Sequence, residues 1–174
     1  MTAVLLLDAF PTLLRTADIH MVERLIRESK TWAFVDELAI AVAGPLIERS
    51  PRLLAIADRW ARDDDFWLRR SAMLALLPPL RRGGGDFERF ARYAESMLEE
   101  REFFIRKAIG WVLRETSKQR PDLVYHWLRP RAARASMVTV REAVKYLSPA
   151  QRVAVLRGCR SAKAPTKASE HAPR

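Results

Sequence analysis

A chain of 174 residues with 49% hydrophobic and 30% charged residues can bury one continuous core, which excludes a wholly disordered or fibrous chain. Its single cysteine, Cys159, excludes an internal disulfide, and with only His20, His126 and His171 beside it no metal site is expected. The net charge of +10 is one-sided: residues 1–100 hold 14 Lys/Arg against 16 Asp/Glu, residues 101–160 hold 14 against 4, and residues 161–174 hold 3 against 1. A basic field gathered on the second half draws polyanions, nucleic acid ahead of an anionic membrane.

Helical periodicity runs through nearly the whole chain, and no segment alternates like a strand. Ala3-Val4-Leu5-Leu6-Leu7 opens a helix over about 2–16 that lacks a preceding basic segment and is broken by Asp8, so it does not read as a signal peptide. No run reaches membrane-spanning length, and a reducing cytoplasmic compartment is expected. Leu5, Leu6 and Phe10 would stand uncovered on this helix, so self-association through it is expected. Further helices are predicted at about 18–29, 33–49, 51–62, 66–81, 87–99, 102–117, 121–133, 138–147 and 149–159. Ser50-Pro51, Arg120-Pro121 and Ser148-Pro149 each put proline at a first helical position. Gly83-Gly84-Gly85 reads as a flexible connector. The Ala/Lys/Ser/Pro-rich end has no large apolar residue, so the chain divides into a repeat domain over 1–160 and a disordered basic tail over 161–174.

Four stretches repeat one pattern, an apolar residue, a charged pair and a small or apolar helix former: Val35-Asp36-Glu37-Leu38-Ala39, Leu68-Arg69-Arg70-Ser71-Ala72, Ile105-Arg106-Lys107-Ala108-Ile109 and Val140-Arg141-Glu142-Ala143-Val144. With Asp36, Arg69, Arg106 and Arg141 taken as equivalent, the steps are 33, 37 and 35 residues. That period with helical patterning predicts an all-α solenoid of stacked helix pairs, on which Arg69, Arg106 and Arg141 form a ladder facing successive phosphates.

Four longer segments, Ser29 to Asp36, Trp60 to Arg70, Glu102 to Glu115 and Arg141 to Lys145, resemble the DNA alkylation repair family, alkylpurine DNA glycosylases of the AlkD type built of HEAT-like repeats. The run Phe103-Phe104-Ile105-Arg106-Lys107-Ala108-Ile109-Gly110-Trp111 is the most specific part, and the likeness covers about residues 2–147. It implies hydrolysis of the N-glycosidic bond of 3-methyladenine, 7-methylguanine and similar cationic purines in duplex DNA, without a cofactor. It also implies a carboxylate four residues after a tryptophan, a second aromatic and an arginine at the phosphate backbone. Trp60 and Asp64 have that spacing, and Arg106 matches the arginine with Arg114 in reserve. Trp111, Trp127 and Tyr146 compete for the second aromatic, and Arg70, Lys107 and Lys145 complete the expected DNA-binding set. Additional N-terminal helices of the family are not expected in this sequence.

The residues themselves leave Asp64 open between two roles. It can stabilise positive charge on a deoxyribose, or cap the helix that follows Asp63-Asp64-Asp65. Trp60 is equally open between a groove position and packing between repeats, whereas Trp32, Trp67 and Trp111 read as packing. A non-catalytic DNA-binding module or a protein-interaction scaffold would keep the basic ladder without needing Trp60 and Asp64 at their spacing.

Overall fold

The computed structural model describes residues 13–161, with side chains through Cys159. The expected first helix, its apolar residues Leu5, Leu6 and Phe10, and the tail beyond residue 161 lie outside the described residues. Within them no strand occurs, and the chain is an α-solenoid of helix pairs.

Each pair is an amphipathic first helix and a more deeply buried second one. The first helices are α1 (Ile19–Ser29), α4 (Leu54–Trp60), α7 (Phe87–Ser96) and α9 (Pro121–Leu128). The second rods begin with α2 (Trp32–Glu37), a π-helical stretch (Leu38–Ala43) and α3 (Gly44–Arg49). They continue with α5 (Phe66–Leu74) and α6 (Leu77–Arg81), then α8 (Phe103–Ser117), then α10 (Met137–Ala143), and α11 (Pro149–Ser161) closes the stack. Helix α1 buries Ile19, Val22 and Ile26, one stripe at helical spacing. Helix α8 buries Ile105, Ala108, Ile109, Val112, Leu113 and Thr116 and packs on α5, α6, α9 and α10, so it is the hub of the stack.

Acid and hydroxyl side chains start the second helices. Asp65 Oδ1 accepts from Trp67 N at 2.9 Å, Glu102 Oε1 from Phe104 N at 3.2 Å, and Ser136 Oγ from Thr139 N at 3.0 Å. Ser148 and Gln151 cap α11 reciprocally, backbone N of each to the side chain of the other.

Proline decides where the predicted helices break. The helix expected over 66–81 is interrupted between Leu74 and Leu77, because Pro78 and Pro79 lack N–H donors and their rings collide with the carbonyls a turn earlier. The helix expected to reach 133 ends at Leu128 and passes into a 3₁₀ turn, Arg129–Arg131, around Pro130. Pro45 sits inside the first rod, and the widened π-helical stretch just before it accommodates the missing donor. The glycine run is not a loose connector. Gly83 and Gly85 hold left-handed backbone at φ 86° and 71°, Gly84 N donates to Pro79 O at 3.0 Å, and Arg120 donates to Gly84 O.

Two rods approach closely at Gly110. A Cβ there would meet Glu142 Cβ and Thr139 O, each at 2.8 Å, so only glycine lets α8 lie against α10. Thr139 Oγ1 uses the approach to donate to Arg106 O at 3.0 Å. Alanine in a helix normally gains about 1 kcal/mol over glycine, but overpacking of this kind costs about 1–3 kcal/mol. Gly110→Ala is therefore expected to lower stability by up to about 2 kcal/mol, seen as a fall in the thermal midpoint of up to several degrees. A raised midpoint would contradict the close packing.

Candidate functional site

One cleft combines aromatic walls with paired charges. It has a volume of about 340 Å³ and is lined by Trp32, Asp36, Arg70, Phe103, Phe104, Lys107, Trp111 and Arg114. Three successive rods supply it: α2 gives Trp32 and Asp36, α5 gives Arg70, and α8 gives the rest. Trp32 is the first residue of α2 and is 56% exposed. The turn before it is held by Lys30, the one described non-glycine residue at positive φ, 47°. Phe103, also the first residue of its helix, is 53% exposed on the other rim. Behind it Phe104 packs edge-on to Phe103 at 5.5 Å, on Trp67 at 5.0 Å and parallel to Phe66 at 6.4 Å, which fixes that wall.

Asp36 and Arg70 form the floor. Asp36 is 8% exposed, and its carboxylate takes both arms of a fork, Arg70 Nε to Oδ1 and Nη2 to Oδ2, each at 2.7 Å. The remaining Arg70 nitrogen donates to the Phe104 carbonyl, so the guanidinium is spent within the protein. A carboxylate offers about four lone-pair positions, and the fork uses two of them. Asp36 can still face a positive charge entering the cleft.

This placement corrects the groove role expected of Trp60 and sets Asp64 apart from the cleft. Trp60 is fully buried, and its indole N–H donates to Glu23 Oε2 at 3.0 Å, so it packs between α1 and α4 and cannot meet a sugar. Asp64 is exposed, but it lines a separate depression with Ala55, Asp58, Arg59, Arg62 and Asp63, which contains no aromatic residue. The cap of the following helix is Asp65, and Asp63 is bound by Arg27. The spacing that singled out Trp60 and Asp64 also occurs in Trp32 and Asp36, and there both residues line one cleft.

The arginine ladder shifts by one residue. Arg69 donates to the carbonyls of Asp63 and Asp64 and to Glu100, and Arg106 donates to the Glu100 carbonyl, each therefore bracing the loop before its own helix. In the two pairs Arg69-Arg70 and Arg106-Lys107 the second member faces the cleft side instead: Arg70 binds Asp36, and Lys107 binds Glu142 at 2.9 Å. Arg70, expected at DNA, is buried and already paired. Lys107 and Arg114 line the cleft, Lys145 reaches the same Glu142 oxygen as Lys107, and Arg141 is exposed on α10. Of the competing aromatics, Trp111 lines the cleft. Trp127 lies under Arg131 at 4.7 Å on α9, and Tyr146 under Lys118 at 5.1 Å.

Glu142 carries the most strongly perturbed carboxyl beside this site. Burial opposes its ionisation, but hydrogen bonds from Lys107 and Lys145 and the charges of Lys107 and Arg114 hold it at about 2. Its ordinary value is 4.5, so the stability it contributes is complete above that pH and is lost as pH falls to about 2. Glu142→Gln is expected to flatten this part of the acid-denaturation curve, measured as the denaturant midpoint across that window. An unchanged acid slope would contradict the network.

Comparison with known proteins agrees with the likeness carried by the four sequence segments. The family described as DNA alkylation repair enzyme matches residues 1–147. Among solved structures, one described as a predicted DNA alkylation repair enzyme from Enterococcus faecalis superposes with a TM-score of 0.75 at 24% identity, over 84% of this chain and 67% of that one. That likeness establishes the shared fold. No curated protein matches the chain. The family match spans most of the sequence, and the protein belongs to the DNA alkylation repair enzyme family.

Proposed function

We propose that the protein hydrolyses the N-glycosidic bond of cationic N-alkylated purines in duplex DNA, with Asp36 as the charge-stabilising carboxylate. The observation that carries this reading is the Asp36–Arg70 pair at the floor of a cleft whose rims are Trp32, Phe103 and Trp111.

An N3- or N7-alkylated purine already bears positive charge and leaves readily. As the C1′–N bond breaks, its electron pair returns to the purine and neutralises it, while positive charge develops on the deoxyribose. Water adds to C1′ and its proton is released to solvent. A carboxylate held in a fork between Arg70 nitrogens needs no reorganisation to meet that charge, and aromatic walls lower the local dielectric and strengthen the attraction. Trp32 adds an exposed indole face for a cationic base or sugar, worth roughly 0.5–2 kcal/mol. Trp111 is the second aromatic of this arrangement, and Lys107, Arg114 and Lys145 are the cations for the flanking phosphates.

Selection of the lesion follows from the weakened glycosidic bond. An open cleft between rods favours approach along the backbone over a closed base pocket.

Asp36→Asn is expected to lower release of free alkylpurine from methylated duplex DNA by a factor on the order of a hundred or more, measured by chromatography at a temperature where circular dichroism shows the fold intact. Asp64→Asn should release it at the wild-type rate. The reverse pattern would return the chemistry to Asp64, and no release by the wild-type protein would leave a DNA-binding module.

A further inference from the structure

The ion-pair clusters differ in their balance of charge, and one region stands apart from the others. Around Glu23 and Asp63 stand Arg27 and Arg59, around Glu95 and Glu99 stand Arg131 and Arg134, and around Asp58 and Asp86 stands Arg89. In each of these the carboxylates equal or outnumber the cations. Along α8 and α10 the balance reverses. Glu115 collects Arg81, Arg114 and Lys118, and Glu142 collects Lys107, Arg114 and Lys145, so two carboxylates hold five cations.

The two carboxylates are nearly buried while the outer cations Arg81, Lys118 and Lys145 are well exposed. Arg114 touches both carboxylates, Nε to Glu115 and Nη1 to Glu142, and makes the clusters one chain. Burial disfavours ionisation of Glu115, but hydrogen bonds from Lys118 and Arg114 hold its pKa below the usual range, so both anchors stay charged. The cations are thus held in place from beneath, with donors left over on their outer side. Tyr146 adds an exposed ring under Lys118.

We propose that this chain is a phosphate track for one DNA strand, leading away from the cleft along α8 through Lys145, Arg114, Lys118 and Arg81. The identity of the polyanion as DNA rests on the function proposed above. From Lys107 to Lys118 the helix rises about 16 Å, the axial length of roughly four to five phosphates of one strand. A surplus that merely kept the protein soluble would not need buried carboxylates to fix it. The anchoring lowers the ordering cost of each phosphate contact, because the long side chains are already held.

The test is binding of an undamaged duplex by the full chain over a range of salt concentrations, which involves no glycosidic chemistry. For the double variant Arg81→Gln/Lys118→Gln, the slope of log affinity against log salt should be shallower than wild type by about 1.8, as for two lost phosphates, with affinity at least tenfold weaker at about 0.1 M salt. Lys145→Gln, a surface change that leaves Glu142 two partners, should lose about 0.9 of slope. Slopes equal to wild type in both variants would overturn the track whatever the excision assay shows. Equally decisive against it would be vesicles of phosphatidylglycerol and phosphatidylcholine that bind wild type and not the variants while duplex binding is unchanged, since the surface would then serve a membrane. Altered slopes beside a failure to release alkylpurine would keep the track and remove the glycosylase reading.

Discussion

A guanidinium and a carboxylate taken out of water together hold the centre of this molecule. Arg70 and Asp36 would each be costly to bury alone, and their attraction offsets that cost only because the fork is bidentate and the last guanidinium arm finds the Phe104 carbonyl. One side chain thereby ties α2, α5 and α8 together, one rod from each of three successive pairs. Replacing such a pair with apolar residues is often no loss in stability. Its value here is positional: the Asp36 carboxylate is fixed at the floor of an aromatic cleft.

The same repeat geometry sorts the remaining charges by depth. Arg69 and Arg106 fold back on the loops before their helices, where they satisfy carbonyls that no helix can. Neighbours one residue later turn by about 100° around the helix and reach the next rod. Gly110 brings α10 close enough to α8 for Glu142 to sit under Lys107 and Arg114. A packing constraint between two rods thus sets the electrostatics beside the cleft.

Much of the architecture is legible in the sequence, because helical stripes and a period of 33 to 37 residues leave few alternatives. The excess of positive charge over residues 101–160 is also where the fold gathers its surplus cations. What the period does not resolve is a single residue of register, and on a helix one residue separates a buried fork from a loop brace. That is why Arg69 and Arg106 were expected where Arg70 and Lys107 stand. The tryptophan four residues before an aspartate occurs twice, and local sequence treats both occurrences alike. They differ through a contact 37 residues away: Glu23 accepts the Trp60 indole N–H and holds it in the core, whereas Trp32 is 56% exposed. The breaks at Pro78-Pro79 and Pro130 were within reach of the sequence, since proline cannot continue a helix there.

The most direct measurement is a structure of the protein bound to duplex DNA carrying a cationic pyrrolidine in place of the damaged deoxyribose, a mimic of the charge that develops as the glycosidic bond breaks. The account predicts the ring nitrogen within about 4 Å of the Asp36 carboxylate, with Trp32 and Trp111 against the ring and the adjoining phosphates over Lys107 and Arg114. A pyrrolidine seated over the depression at Asp64, or held away from every carboxylate, would contradict it.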